Sequence, residues 1–174
     1  MKTLIFFRHA KAASSDRMVH PDYDRPLTER GGEDAHLMGA WLSQQIDNLD
    51  YVLCSSALRT KETWKQCQEF FPNLEAKFDD SLYNAQEHVI QEAIRNAPAH
   101  VESILVIGHN PGMLACVYSL GFVKSSYPVT EGFPTAAIAI LRVHGEWNEL
   151  SQENTEIIIF KKPEKIRNRR IQAN

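Results

Sequence analysis

The chain has 174 residues, of which 43% are hydrophobic and 24% are charged. This composition is typical of one globular domain and excludes a disordered chain, and no apolar run reaches the ~18 residues of a membrane span. The net charge of −3 is uneven, because six Lys and Arg against one Glu give residues 161–174 a charge of +5 and leave −8 for residues 1–160. We therefore expect one folded domain over 1–160, without a nucleic-acid-binding surface, and a basic, solvated C-terminal tail over 161–174.

The N-terminus and the cysteines indicate the compartment. One lysine precedes a short uncharged stretch without a small-residue cleavage site, which is not the pattern of a secretory signal and predicts a cytoplasmic protein. Cys54, Cys67 and Cys116 are an odd number at irregular spacings. They fit neither a disulfide framework nor a metal clip, so we expect reduced, buried thiols.

Short continuous apolar runs alternate with helical patterns along the chain. The runs TLIFF, YVLCS and SILVIG are typical of strands covered on both faces of a parallel sheet. Thr28 is placed to cap a first helix, Ser55 or Ser56 a second that ends near Phe71, and a third covers 85–97. A fourth helix follows GHNPG, and AAIAILRV and TEIIIFKK indicate an antiparallel hairpin. This order predicts a three-layer αβα sandwich whose mostly parallel central sheet has an antiparallel edge.

Charged and titratable residues follow three of the predicted strands. Arg8 and His9 end the first, Arg59 lies in the opening helical turn after the second, and His109 ends SILVIG. Ligands of such sheets bind at the carboxyl ends of the strands, so these four side chains are expected to meet there. Two guanidinium groups suit an anion, because each can bond two phosphate oxygens at once.

His9 is the natural nucleophile of this set. An imidazole attacks phosphorus only through an unprotonated nitrogen, and the nearby guanidinium groups should lower the pKa of His9 from ~6.5. A cationic His109 could neutralise a third phosphoryl oxygen in the transition state. Since these side chains supply the positive charge, the scheme requires no metal and no cofactor.

Separated motifs in this chain resemble those of the histidine phosphatase superfamily, and most closely its SixA-type phosphohistidine phosphatases. They are RHAKAASSD, DYDRPLTERGGEDA, SSALRTKET, LYNA, VIGHNPG and FPTAAIAIL, between about residues 3 and 142. The resemblance implies a phosphoglycerate mutase-like fold, a catalytic domain over 1–160 without a large inserted cap, and transient phosphorylation of His9. It also implies that Arg8, Arg59 and His109 form the phosphate pocket. Ala10 replaces the glycine of the wider superfamily, as is common in the SixA-like branch.

The proton donor is the point at which this sequence departs from many members of the superfamily. Glu87 in LYNAQEH is the nearest candidate, with Asp79 and Asp80 behind it. An alkyl phosphate needs ~10²–10⁴-fold help from an acid, so a missing donor favours phosphohistidine on a protein as the substrate. The alternatives are a small-molecule phosphomonoesterase on the same scaffold and a phosphate-dependent binding module without turnover. We expect a phosphorylated protein or a small phosphorylated molecule as the partner, and no membrane; an Asp24–Arg25 contact should hold the loop before the first helix.

Overall fold

The computed structural model describes residues 1–14, 21–121 and 132–172, in which strands and helices alternate up to the last hairpin. The strands are β1 (Lys2–Arg8), β2 (Tyr51–Ser55), β3 (Ala76–Asp79), β4 (Ser103–Gly108), β5 (Ile138–Val143) and β6 (Thr155–Lys161). The α-helices are α1 (Glu29–Ser43), α2 (Leu58–Cys67), α3 (Glu87–Arg95), α4 (Gly112–Gly121) and α5 (Pro163–Gln172). Short 3-10 helices cover Asp22–Asp24, Gln68–Phe70, Asp80–Leu82, Trp147–Glu149 and Gln152–Asn154.

The strands form one six-stranded sheet in the order β3-β2-β4-β1-β5-β6. The first four of these run parallel, whereas β5 pairs antiparallel with both β1 and β6. The predicted mostly parallel sheet with an antiparallel edge is confirmed. Because β1, β2 and β4 are parallel neighbours in the middle of this sheet, their carboxyl ends lie side by side.

Helices cover both faces of the sheet, and the side chains of β1 show why. Leu4 and Phe6 belong to the apolar cluster that includes α3 and α4, whereas Ile5 and Phe7 belong to the cluster that includes α1 and α2. All four side chains are completely buried. Each contributes roughly 1.5–3 kcal/mol from burial, so a strand that is apolar on both faces is stable only between two helical layers. The αβα sandwich is confirmed.

Two helix starts differ in how they are capped. Thr28 caps α1 as predicted, since its hydroxyl accepts a hydrogen bond from the Gly31 N–H. At α2 the N-cap is Ala57, without a side-chain bond, and not Ser55 or Ser56. The reason is that Ser55 is the last residue of β2, where its hydroxyl accepts from the N–H of Ala57 itself, and that the hydroxyl of Ser56 bonds to Asp80.

The C-terminal segment is more structured than the sequence indicates. Residues 163–172 form α5, in which Arg167 pairs with Asp34 of α1 and Ile166 packs against the cluster on that face. The expectation of an entirely solvated tail is therefore wrong, while the domain boundary at residue 160 stays a prediction. Within the described residues, no helix combines the length and the apolarity that a membrane span requires. The three cysteines are free and buried, as expected.

Candidate active site

The carboxyl ends of β1, β2 and β4 bring the four predicted site residues to one cleft. Arg8 pairs in register with Gly108, so the next residues along the two strands, His9 and His109, emerge side by side. Arg59 comes from the first turn of α2, directly after β2. All four line a cleft of about 280 Å³.

His9 lines the cleft and is held in one tautomer. Its ring is almost fully buried and its Nδ1 lies 2.8 Å from the Ala10 carbonyl oxygen. A carbonyl oxygen only accepts, so Nδ1 carries the proton and Nε2 keeps a free lone pair in the neutral ring. Burial lowers the pKa of His9 to about 4; the Ala10 bond opposes this, and Arg59, Arg8 and Arg25 add to it. The predicted direction is confirmed, but burial is a larger cause than the arginines.

Arg8 and Arg59 present buried N–H groups that have no partner. Arg8 donates from Nη1 to the Phe133 carbonyl, 2.9 Å away, and Arg59 donates from Nη1 to the Asp22 carbonyl, 2.7 Å away. The Nε atoms of both arginines are buried and unbonded. Burial, followed by the charge of Arg59, lowers the pKa of Arg8. Two guanidinium groups in one cleft with unsatisfied donors would be relieved by an anion.

His109 faces His9, with the two ring centroids 5.1 Å apart. Its Nε2 lies 2.8 Å from the Ser55 hydroxyl oxygen, and its Nδ1 is buried without a partner. The pKa of His109 is lowered to about 3, mainly by burial and then by His9 and Arg59. His109 is therefore neutral in this state, so a cationic form would need an anion in the cleft.

Asp22 is a residue of the cleft that sequence reasoning missed. Its Oδ2 accepts from the Tyr83 hydroxyl at 2.5 Å and pairs with Arg59 Nη2 at 3.3 Å, while its Oδ1 accepts from Arg25 Nε at 3.0 Å. The Tyr83 bond is the main reason why the pKa of Asp22 falls to about 2. The predicted Asp24–Arg25 contact is wrong, because the 3-10 turn at 22–24 places the residue three positions before Arg25 next to it. The i,i+3 spacing of Asp22 and Arg25 is the sequence feature from which this pair could have been predicted.

Glu87 is not among the side chains that line the cleft. It is the first residue of α3, and its carboxylate accepts a hydrogen bond from Gln91 Nε2 at 2.8 Å. Asp79 accepts bonds from Ser81, and Asp80 pairs with Ser56 and Tyr23. This placement does not support the proton-donor prediction for Glu87. The side chains of the described residues that complete the cleft are Lys11, Ala12, Asp22, Arg25, Asn84, Asn110 and Thr135.

Part of one sequence motif falls outside the described residues. Ser15 and Asp16, at the end of RHAKAASSD, lie there. Across 1–14, 21–121 and 132–172, no three His, Cys, Asp or Glu side chains are grouped as metal ligands.

Comparison with known proteins places the chain in a family. Residues 4–87 match the family model described as "Histidine phosphatase superfamily (branch 1)". An uncharacterized protein of Mycobacterium tuberculosis is 34% identical over 90% of this chain and 99% of its own length. The chain belongs to the histidine phosphatase superfamily.

Within this superfamily, the chain is similar to SixA proteins. A phosphohistidine phosphatase SixA homolog of Haemophilus influenzae is 29% identical over 91% of this chain and 99% of its own length. The structure of a candidate SixA phosphohistidine phosphatase from Nakamurella multipartitia superimposes with a TM-score of 0.81 at 28% identity, covering 93% of this chain and 96% of that one. Family membership and the cleft together support a phosphatase function.

Proposed function

We propose that this chain hydrolyses phosphohistidine on a protein, without a metal, through a phosphohistidine intermediate on its own His9. Three features support the proposal: an attacking nitrogen, a set of donors for an anion, and a cleft without a proton donor among the described residues. The first two suit any phosphatase that uses a histidine nucleophile. The third selects the class of substrate.

The first chemical step transfers the phosphoryl group to His9. The Nε2 lone pair forms a bond to phosphorus while the P–N bond of the substrate breaks, and its electron pair goes to the departing imidazole. That ring takes a proton from solvent on its other nitrogen before the P–N bond breaks, since the pKa of an imidazolium lies near 6.5, and it therefore leaves as neutral imidazole. Arg8 and Arg59 hold the phosphoryl oxygens and stabilise the charge that they carry during transfer.

Water completes the cycle. It attacks the phosphorus, the bond between phosphorus and Nε2 breaks, and inorganic phosphate leaves while the electron pair returns to Nε2. The proton that the attacking water loses goes to the departing phosphate or to solvent. Because the pKa of the buried His9 is low, the ring is neutral again at once and ready for the next substrate.

The ionised state of Asp22 is the observation that favours phosphohistidine over alkyl phosphates as the substrate. Asp22 is the one carboxylate that lines the cleft within the described residues. Its pKa of about 2 leaves no proton to donate at neutral pH. An acid typically contributes ~10²–10⁴-fold when a poor leaving group departs, so alkyl phosphates should be poor substrates. Phosphohistidine needs no proton from the cleft.

A comparison of leaving groups tests this proposal. The purified chain is given a histidine-phosphorylated protein and a phosphoserine peptide, and we expect kcat/KM to be at least ~100-fold higher for phosphohistidine. EDTA should leave the rate unchanged. Comparable rates for both substrates would refute the proposed specificity. Faster turnover of esters that is lost in Glu87→Gln would instead indicate a small-molecule phosphomonoesterase.

Trapping the intermediate tests the role of His9. Labelled phosphate should appear on the protein after rapid quenching and should disappear in His9→Ala. His88→Ala is the matched control, because His88 is an exposed histidine on α3 outside the cleft. Label that persists in His9→Ala would reject the nucleophile, and a pure protein without turnover of any substrate would indicate a binding module.

A further inference from the structure

Ser55 is connected to the cleft through His109, and hydrogen bonds of its own orient it. The residue is completely buried at the end of β2. Its Oγ accepts from the Ala57 N–H at 3.4 Å and lies 2.8 Å from Nε2 of His109. Its carbonyl oxygen accepts from the Thr60 hydroxyl at 2.6 Å, which fixes the backbone. Because Ala57 uses one of the two lone pairs of Oγ, the hydroxyl hydrogen and one lone pair are left for His109.

A neutral imidazole carries one N–H, so a bond at one nitrogen decides the state of the other. If Ser55 donates to Nε2 of His109, the proton must be on Nδ1. That Nδ1 atom is buried and has no hydrogen-bond partner. The same is true of the Nε atoms of Arg8 and Arg59, two other residues that line the cleft. In this tautomer all three unpartnered nitrogens are donors, which is the arrangement that the oxygens of one anion satisfy.

We propose that Ser55 is a positioning residue that donates to Nε2 of His109 and thereby holds the proton on Nδ1, where it can bond to a phosphoryl oxygen. The role rests on the proposed phosphatase function. In the other tautomer, His109 would direct a lone pair at the oxygens and repel them. Removal of Ser55 would therefore act on the phosphoryl group through His109, without any direct contact of Ser55 with the substrate.

Ser56 provides a matched control next to Ser55 in the chain. It is also buried, but its hydroxyl bonds to Asp80, and no hydrogen bond joins it to His109 in the described part of the chain. Ser55→Ala and Ser56→Ala remove the same atom from adjacent positions at the same strand end. A difference between the two variants thus reports the bond to His109.

Nitrogen NMR of the full-length protein labelled in its histidine rings tests the proposal. In the wild type we expect the proton of His109 on Nδ1 and a lone pair on Nε2; in Ser55→Ala the proton should move partly to Nε2, and in Ser56→Ala it should not. Turnover of phosphohistidine should show kcat lowered about tenfold in Ser55→Ala, less than twofold in Ser56→Ala, and restored by Ser55→Thr. KM should change less than kcat.

A proton on Nε2 in the wild-type protein would overturn the proposal by itself, even if Ser55→Ala does not fold. Equal kcat values and an unchanged tautomer in Ser55→Ala would also overturn it. The tautomer is measured without substrate, so its outcome is separate from that of the activity assay. A protein with the expected tautomer that does not hydrolyse phosphohistidine would reject the proposed function and leave the role of Ser55 in orienting His109 in place.

Discussion

Replacing His9 by glutamine should change how the stability of the protein depends on pH. The fold lowers the pKa of His9 from 6.5 to about 4, chiefly by burying the ring. Between these two values the unfolded chain binds a proton that the folded chain does not. The contribution of the neutral His9 ring to the free energy of unfolding is therefore fully present above pH ~6.5 and is lost as the pH falls toward 4. His9→Gln removes the titrating group and with it this loss.

The size of the effect follows from the shift in pKa. A change from 6.5 to about 4 corresponds to about 3 kcal/mol once the pH is well below both values. At pH 5 the unfolded ring is almost fully protonated and the folded ring is almost fully neutral, which makes the loss about 2 kcal/mol. At pH 7.5 both rings are neutral and the loss is close to zero.

Urea unfolding at pH 7.5 and pH 5 measures this difference. The wild type should lose about 2 kcal/mol more free energy of unfolding than His9→Gln between the two pH values. His88→Gln makes the same replacement at an exposed position on α3 and should behave like the wild type. If the free energy of unfolding falls by the same amount in the wild type and in His9→Gln, the fold does not lower the pKa of His9. The explanation of an unprotonated nucleophile by burial would then be wrong.

Two further substitutions test the phosphate contact of Arg59 and the hydrogen bond from Tyr83 to Asp22. Arg59→Lys keeps the charge but loses the planar fork, so binding of inorganic phosphate measured by calorimetry should weaken about tenfold; unchanged affinity would contradict a phosphate contact. Tyr83→Phe removes the bond that contributes most to the low pKa of Asp22, so the carboxylate should titrate at a higher pH by NMR and stability should fall by about 1 kcal/mol. Tyr23→Phe, which loses an exposed hydroxyl contact, is its control, and an unmoved Asp22 titration would show that Tyr83 does not hold the carboxylate.

The fold and the four central residues were predictable because they depend on short-range patterns. TLIFF, YVLCS and SILVIG are apolar on both faces, which only a sheet covered on both sides accommodates. Once the strands are parallel, the residues just beyond their carboxyl ends are neighbours whatever their separation in the chain. Arg8, His9 and His109 are placed by this rule alone, and Arg59 needs only the additional turn that begins α2.

The remaining features depend on contacts that no local pattern encodes. β3 is a short edge strand with exposed Lys77 and Phe78, so it has neither an apolar run nor a clear alternation. Asp22 reaches Arg59 and Tyr83 because the 3-10 turn at 22–24 packs against α2, 37 residues further along the chain. The hydrogen bond between Ser55 and His109 joins two strand ends in the same way. Such pairs become visible only when the register of the sheet is known.

Because β5 runs antiparallel to β1, one side of the cleft is formed by residues that precede a strand. The parallel strands next to the cleft supply residues from beyond their carboxyl ends, whereas β5 supplies residues from before its amino end. Ala136 donates its N–H to the carbonyl oxygens of Arg8 and His9, and the Phe133 carbonyl accepts from Arg8 and Asn110. Insertions ahead of β5 could therefore remodel one side of the substrate entrance while the nucleophile and its strand stay where they are. Proteins with this fold can thus acquire new substrates through changes in the segment before β5, while the catalytic residues on β1 stay in place.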